Sequence, residues 1–132
     1  MTSVYKIIDK SLGEYDMAIL KHPRRRCLYD ELKHCVKVGK ESAEVANRVN
    51  YKYLNDGFPK NFGLFVNRFI IRRNTEKIIE LNEMWWREYD WGSERDQCNR
   101  MYCVWKLGIT VNPIEFKENN GPASYFRVYK HK

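Results

Sequence analysis

Apolar residues recur at Ile78, Leu81, Trp85 and Tyr89 at spacings of three and four, and after a break at Trp91 and Gly92 the rhythm resumes at Cys98, Met101, Tyr102 and Trp105. Such spacing puts each set on one face of a helix. It predicts a helix from Thr75 to about Tyr89 and a second one capped by Ser93, with Glu94 and Asp96 in its first turn, where negative charge is favoured. Two apolar helix faces need a common surface to bury against. The stretch "GLFVNRFIIRR", residues 63 to 73, offers one: its Phe, Val and Ile content over strand length predicts one or two strands of a central sheet. Asn74 then reads as the N-cap of the helix that follows.

The rest of the chain alternates in the same way. Val4, Ile7, Ile8 and Leu12 suggest a short helix over residues 4 to 12, ended by Gly13, and Tyr15 to Leu20 reads as a buried strand. Pro23 disfavours helix at His22 and marks a loop. Beyond it Cys27, Leu28, Leu32 and Cys35 form a helical stripe that Gly39 stops, and Val45, Val49 and Tyr53 form another between Glu41 and Leu54. Short strands are expected around 109 to 116 and 124 to 130, separated by a turn at Asn119 to Pro122. The expectation is an α/β or α+β chain with a small sheet and about four helices. At 132 residues it is read as one domain, 1 to 132.

No window approaches the roughly 18 apolar residues of a membrane span, and the start of the chain lacks a secretory pattern, so a cytoplasmic protein is expected. The four cysteines, Cys27, Cys35, Cys98 and Cys103, are widely spaced and read as reduced, mostly buried thiols. His22, His34 and His131 lie far apart, and Cys27, His34 and Cys35 lack a second pair to complete a tetrahedral set, so no metal site is assigned. Phosphate-loop, dinucleotide and nucleophile-elbow fingerprints are absent.

A net charge of +7 implies an anionic partner. Arg24, Arg25 and Arg26, and likewise Arg72 and Arg73, form compact clusters that suit a phosphate pocket, with a solvated charged face as the plain alternative. Nucleic acid is disfavoured, because most aromatics fall on helix stripes that should be core and no binding motif accompanies them. Asp96 has two readings. On a helical wheel it lies nearly opposite the apolar stripe, so it is either a first-turn acid favoured by the helix dipole or a carboxylate at a pocket rim. The second reading places it beside an aromatic platform of Trp85, Trp86 and Trp91, a surface suited to sugars.

The segments "HPRRRCLYDE", "NDGFPKNFGLFVNRFIIRRN" and "MWWREYDWGSERDQCNRMYCVWKLG" together resemble the glycosyltransferase-like domain of plant mucilage and pollen-turgor proteins, which also occurs in bacteria and large viruses. The resemblance covers about residues 18 to 108, and its most specific element is the tryptophan pair followed by a serine and Arg-Asp-Gln. It implies a GT-A-like α/β fold that moves a sugar from a nucleotide-sugar donor to a hydroxyl acceptor. By that likeness Asp96 is the catalytic acid or base, with Arg95, Gln97 and Trp86 beside it as substrate contacts. His22, Arg24 and Arg26 match the His-Pro-x-Arg segment that contacts sugar or phosphate, and Arg72 matches a basic strand end. The family's divalent metal, Mn or Mg, is held by an Asp-x-Asp motif that this chain lacks. Few residues precede His22, so the chain is expected to be the C-terminal, acceptor-side portion of such a fold, either a fragment or completed by a partner polypeptide that supplies the nucleotide-binding half, or else a non-catalytic carbohydrate- or nucleic-acid-binding module.

Overall fold

A computed structural model describes residues 4–115. Within them five α-helices surround a small mixed sheet: α1 (Val4–Leu12), β1 (Met17–Lys21), α2 (Leu28–Lys37), α3 (Ala43–Asn55), β2 (Phe65–Arg72), α4 (Glu76–Trp91), α5 (Arg100–Leu107) and β3 (Val111–Ile114), with a 3-10 turn at Asp96–Cys98 before α5. The expected strand at 124 to 130, its preceding turn and His131 lie outside the described residues.

The sheet order is β2-β1-β3, with β1 antiparallel to β2 and parallel to β3. As the central strand, β1 has both faces covered, which explains why Met17, Ala18, Ile19 and Leu20 are all apolar and all buried. Alternation divides them. Met17 and Ile19 enter the larger core with side chains from α2, α3, α4 and α5, whereas Ala18 and Leu20 pack with Leu12 of α1 and Ile114 of β3. The result is α1 on one face of the sheet and the remaining helices on the other.

The pairing of β1 with β2 is interrupted. Ile19 faces Ile70 while Leu20 faces Val66, so Asn67, Arg68 and Phe69 form a bulge in β2. Bulges of this kind re-aim side chains at the edge of a sheet. Here Asn67 and Arg68 are exposed beside the end of β1.

The helix capping differs from expectation at two points. Thr75, not Asn74, caps α4, its Oγ1 accepting the Ile78 N–H at 3.3 Å. The segment after Gly92 does not form one helix from Ser93: it makes the 3-10 turn first, and α5 begins at Arg100 with Asn99 as its N-cap residue. The reason is Asn99, which is fully buried: its Nδ2 donates to the Ser93 carbonyl at 2.7 Å while its Oδ1 accepts the Trp85 indole N–H at 2.9 Å. These side-chain bonds compete with a continuous helix. Gly92 is required at the end of α4, because a Cβ there would lie 2.9 Å from Val49 Cγ2 of α3.

Candidate functional site

Where β1 ends, His22 is held by its neighbours. Its backbone N–H donates to the Leu64 carbonyl at 2.8 Å, and Pro23 keeps it extended. Its ring Nδ1 accepts the backbone N–H groups of Arg24 and Arg25 at 3.1 and 3.0 Å, so the basic loop wraps around the imidazole. That arrangement needs an unprotonated Nδ1 and places the proton of the neutral ring on Nε2, which faces Glu31 Oε2 at 3.8 Å. Burial lowers the His22 pKa; Glu31 opposes the shift, while Arg25, Arg24 and His34 add to it.

Glu31 is the buried acid of the region, only 4% exposed on α2. Arg25 Nε donates to its Oε2, and the Cys35 thiol donates to its Oε1 at 3.6 Å. Sequence reasoning missed Glu31 and Arg68, and it read Arg25 as part of a phosphate-binding cluster rather than as the partner of a buried acid. The adjacent "YDE" of the first helical turn was the available signal, but burial of one acid there depends on an arginine that folds back from the preceding loop.

A cavity of about 580 Å³ opens against this loop, walled by the end of β1, the β2 bulge, α2 and the turn before α5. That volume falls within the range of about 300–1,000 Å³ common for small-molecule sites. Of the residues expected to bind substrate, His22, Arg24, Arg95 and Gln97 all line it. Its cations are Lys21, Arg24, Arg25, Lys40, Arg68 and Arg95, against the carboxylate of Glu31. Lys21 pairs with Glu115 at 3.4 Å and Arg25 with Glu31, which leaves Arg24, Lys40, Arg68 and Arg95 without an ion pair among the described residues. A concave surface with this excess of positive charge attracts anions.

Asp96, expected to be the catalytic acid or base, does not itself line the cavity, although it falls in the chain between the lining residues Arg95 and Gln97. Its Oδ2 accepts a hydrogen bond at 2.7 Å from Nδ2 of Asn67, which lines the wall. The turn carrying Asp96 is fixed from behind: Ser93 Oγ accepts the Arg95 N–H at 3.0 Å and donates to Glu41 Oε2 at 2.5 Å. Deeper still, Arg100 is 1% exposed, donates to the Phe65 carbonyl at 2.9 Å and lies 5.2 Å from the Trp85 ring centre. Burial lowers its pKa to about 10, a shift that the charge of Asp96 opposes, so the guanidinium stays charged at neutral pH.

The expected aromatic platform is not assembled. Trp85 packs against Arg100 and Asn99, Trp91 lies under Arg48 and Lys52, and Trp86 is 69% exposed and stacks on Tyr89 at 5.5 Å. None of them lines the cavity. Arg26 and Arg72 are also elsewhere, with Arg72 Nη1 donating to Asn82 Oδ1 at 2.7 Å on α4.

No protein-family model matches this chain, and comparison with curated proteins and with solved structures finds no match.

Among the described residues no group of three or more His, Cys, Asp or Glu side chains could hold a metal ion. In the cavity, Glu31 is engaged by Arg25 and His22 gives its Nδ1 to backbone N–H groups. Mn²⁺ and Mg²⁺ favour several oxygen ligands. The donor set therefore does not fit such an ion. Nor, among the described residues, is any helix long and apolar enough to cross a membrane.

Proposed function

We propose that this chain is the acceptor-side portion of a GT-A-like glycosyltransferase, whose cavity takes the diphosphate and sugar of a nucleotide-sugar donor. The observation that carries the reading is the convergence of Arg24, Lys40, Arg68 and Arg95, unpaired among the described residues, on one cavity whose lining residue Asn67 binds the carboxylate of Asp96.

In the proposed reaction the acceptor hydroxyl oxygen attacks the anomeric carbon. The bond from that carbon to the diphosphate breaks, and its electron pair leaves with the diphosphate. Fixed positive charge where negative charge develops lowers the barrier, and the arginines and Lys40 supply it here. Asp96 takes the acceptor proton or holds a sugar hydroxyl, and Asn67 sets the direction of its carboxylate. The donor's nucleoside end falls to a partner polypeptide.

The test follows release of nucleoside diphosphate from a panel of nucleotide sugars with added hydroxyl acceptors. An active wild-type chain should lose about 10²–10⁴-fold in rate in Asp96→Asn, the usual range for a general acid or base. Release that is unchanged by the substitution would remove Asp96 from the reaction. The second reading, a non-catalytic carbohydrate- or nucleic-acid-binding module, is favoured by the missing Asp-x-Asp and requires binding with no release in any combination.

A further inference from the structure

The cavity wall contains a feature that sugar transfer does not use. The thiols of Cys35, on α2, and Cys98, in the 3-10 turn, lie 3.9 Å apart, with Cys98 donating to Cys35 Sγ. All four cysteines are free and buried, but Cys27 and Cys103 make no hydrogen bond to another thiol among the described residues. A disulfide has an S–S length of about 2.05 Å, so closure of this pair needs a movement of about 2 Å.

We propose that Cys35 and Cys98 form a dithiol–disulfide site, oxidised by a hydroperoxide, that ties α2 to the turn bearing Asp96. Cys35 lines the cavity while only 2% exposed, and its S–H points to Glu31 Oε1 at 3.6 Å. Burial and the Glu31 charge push the thiol pKa up, so the thiolate forms only as the peroxide enters the cavity. Glu31 takes the thiol proton, and the thiolate attacks one peroxide oxygen. The O–O bond breaks, the leaving oxygen collects that proton, and Cys35 becomes a sulfenic acid. Cys98 then attacks the Cys35 sulfur and the S–O bond breaks. The departing hydroxide takes the Cys98 proton and leaves as water. Two thiols and one hydroperoxide thus give one disulfide, one alcohol (water, when the oxidant is hydrogen peroxide) and one water.

The bond has a consequence for the cavity. Cys98 directly follows Gln97 in the chain, and Cys35 stands one helical turn beyond Glu31, so a cross-link fixes the separation of two cavity walls and draws Cys35 away from Glu31.

The experiment treats the folded full chain with hydrogen peroxide and maps cysteines by mass spectrometry of an unreduced digest, with circular dichroism recorded before and after. The expected product is lighter by two hydrogens, keeps its spectrum, carries a Cys35–Cys98 linkage and is restored by dithiothreitol. A chain with both Cys27→Ala and Cys103→Ala should still form it. Cys98→Ala should instead leave Cys35 as a sulfenic acid that dimedone traps. The proposal is overturned if the folded wild-type chain keeps all thiols under conditions that oxidise the urea-unfolded chain, if the linkage joins another pair, or if dithiothreitol fails to reverse it. These readouts on the unsubstituted chain do not depend on whether the variants fold or on whether the chain transfers sugar.

Discussion

Asn67 Nδ2 donates a hydrogen bond to Asp96 Oδ2 at 2.7 Å, which joins the bulge of β2 to the turn before α5. Asn67→Ala should lower donor turnover by about tenfold or more, since it releases the carboxylate from its fixed direction. Stability should change by no more than about 0.5 kcal/mol, as for other exposed positions. Equal losses of turnover and thermal midpoint would assign the bond a purely structural role.

His22 makes stability depend on pH. Its folded-state pKa is lowered from 6.5, mainly by burial, so the unfolded chain binds its proton more readily. The neutral-ring contribution is therefore complete above about pH 6.5 and is lost as pH falls through the lower folded value. His22→Asn keeps an acceptor near the Nδ1 position and cannot titrate. Urea unfolding at pH 7 and pH 5 should show a smaller decrease for the variant than for wild type, and identical decreases would contradict the buried neutral ring.

Asn99 anchors the turn through two buried bonds, to the Trp85 indole N–H and the Ser93 carbonyl. Asn99→Ala strands both groups, at a cost of about 1–3 kcal/mol each. Chemical denaturation should give a total loss above about 2 kcal/mol, and Trp85 fluorescence should shift; a loss below about 0.5 kcal/mol would mean that water replaces the side chain.

Gly92→Ala should destabilise by about 1–3 kcal/mol through overpacking, because the new methyl group meets Val49. Adding Val49→Ala should recover part of that loss. Simple additivity of the two changes would show that the contact is not the cause.

Much of the frame was legible in the chain. The apolar run of β1 and the helical stripes of Leu28, Leu32 and Cys35 and of Ile78 and Leu81 reflect local periodicity, which survives whatever partner covers it. The candidate site was only partly legible, because its geometry depends on tertiary partners. Arg72 and Arg73 look like one basic cluster in sequence, yet Arg72 ends β2 and Arg73 lies just beyond it, and their side chains find different partners. Arg72 meets Asn82, and Arg73 Nε donates to the Tyr15 carbonyl at 2.9 Å. The β2 bulge depends on how β1 pairs with it, which no pattern within β2 records. Arg100 and Glu31 read as surface charges by type, and their burial is set by a carbonyl of β2 in one case and a loop arginine in the other.

The most direct measurement is calorimetric titration of the chain with a panel of nucleotide sugars, with and without Mn²⁺, alongside a variant carrying both Arg24→Ala and Arg68→Ala. The account predicts saturable binding of at least one donor, little changed by Mn²⁺ and weakened tenfold or more in the variant. Absence of saturable binding to every donor, or binding indifferent to the loss of both arginines, would contradict it.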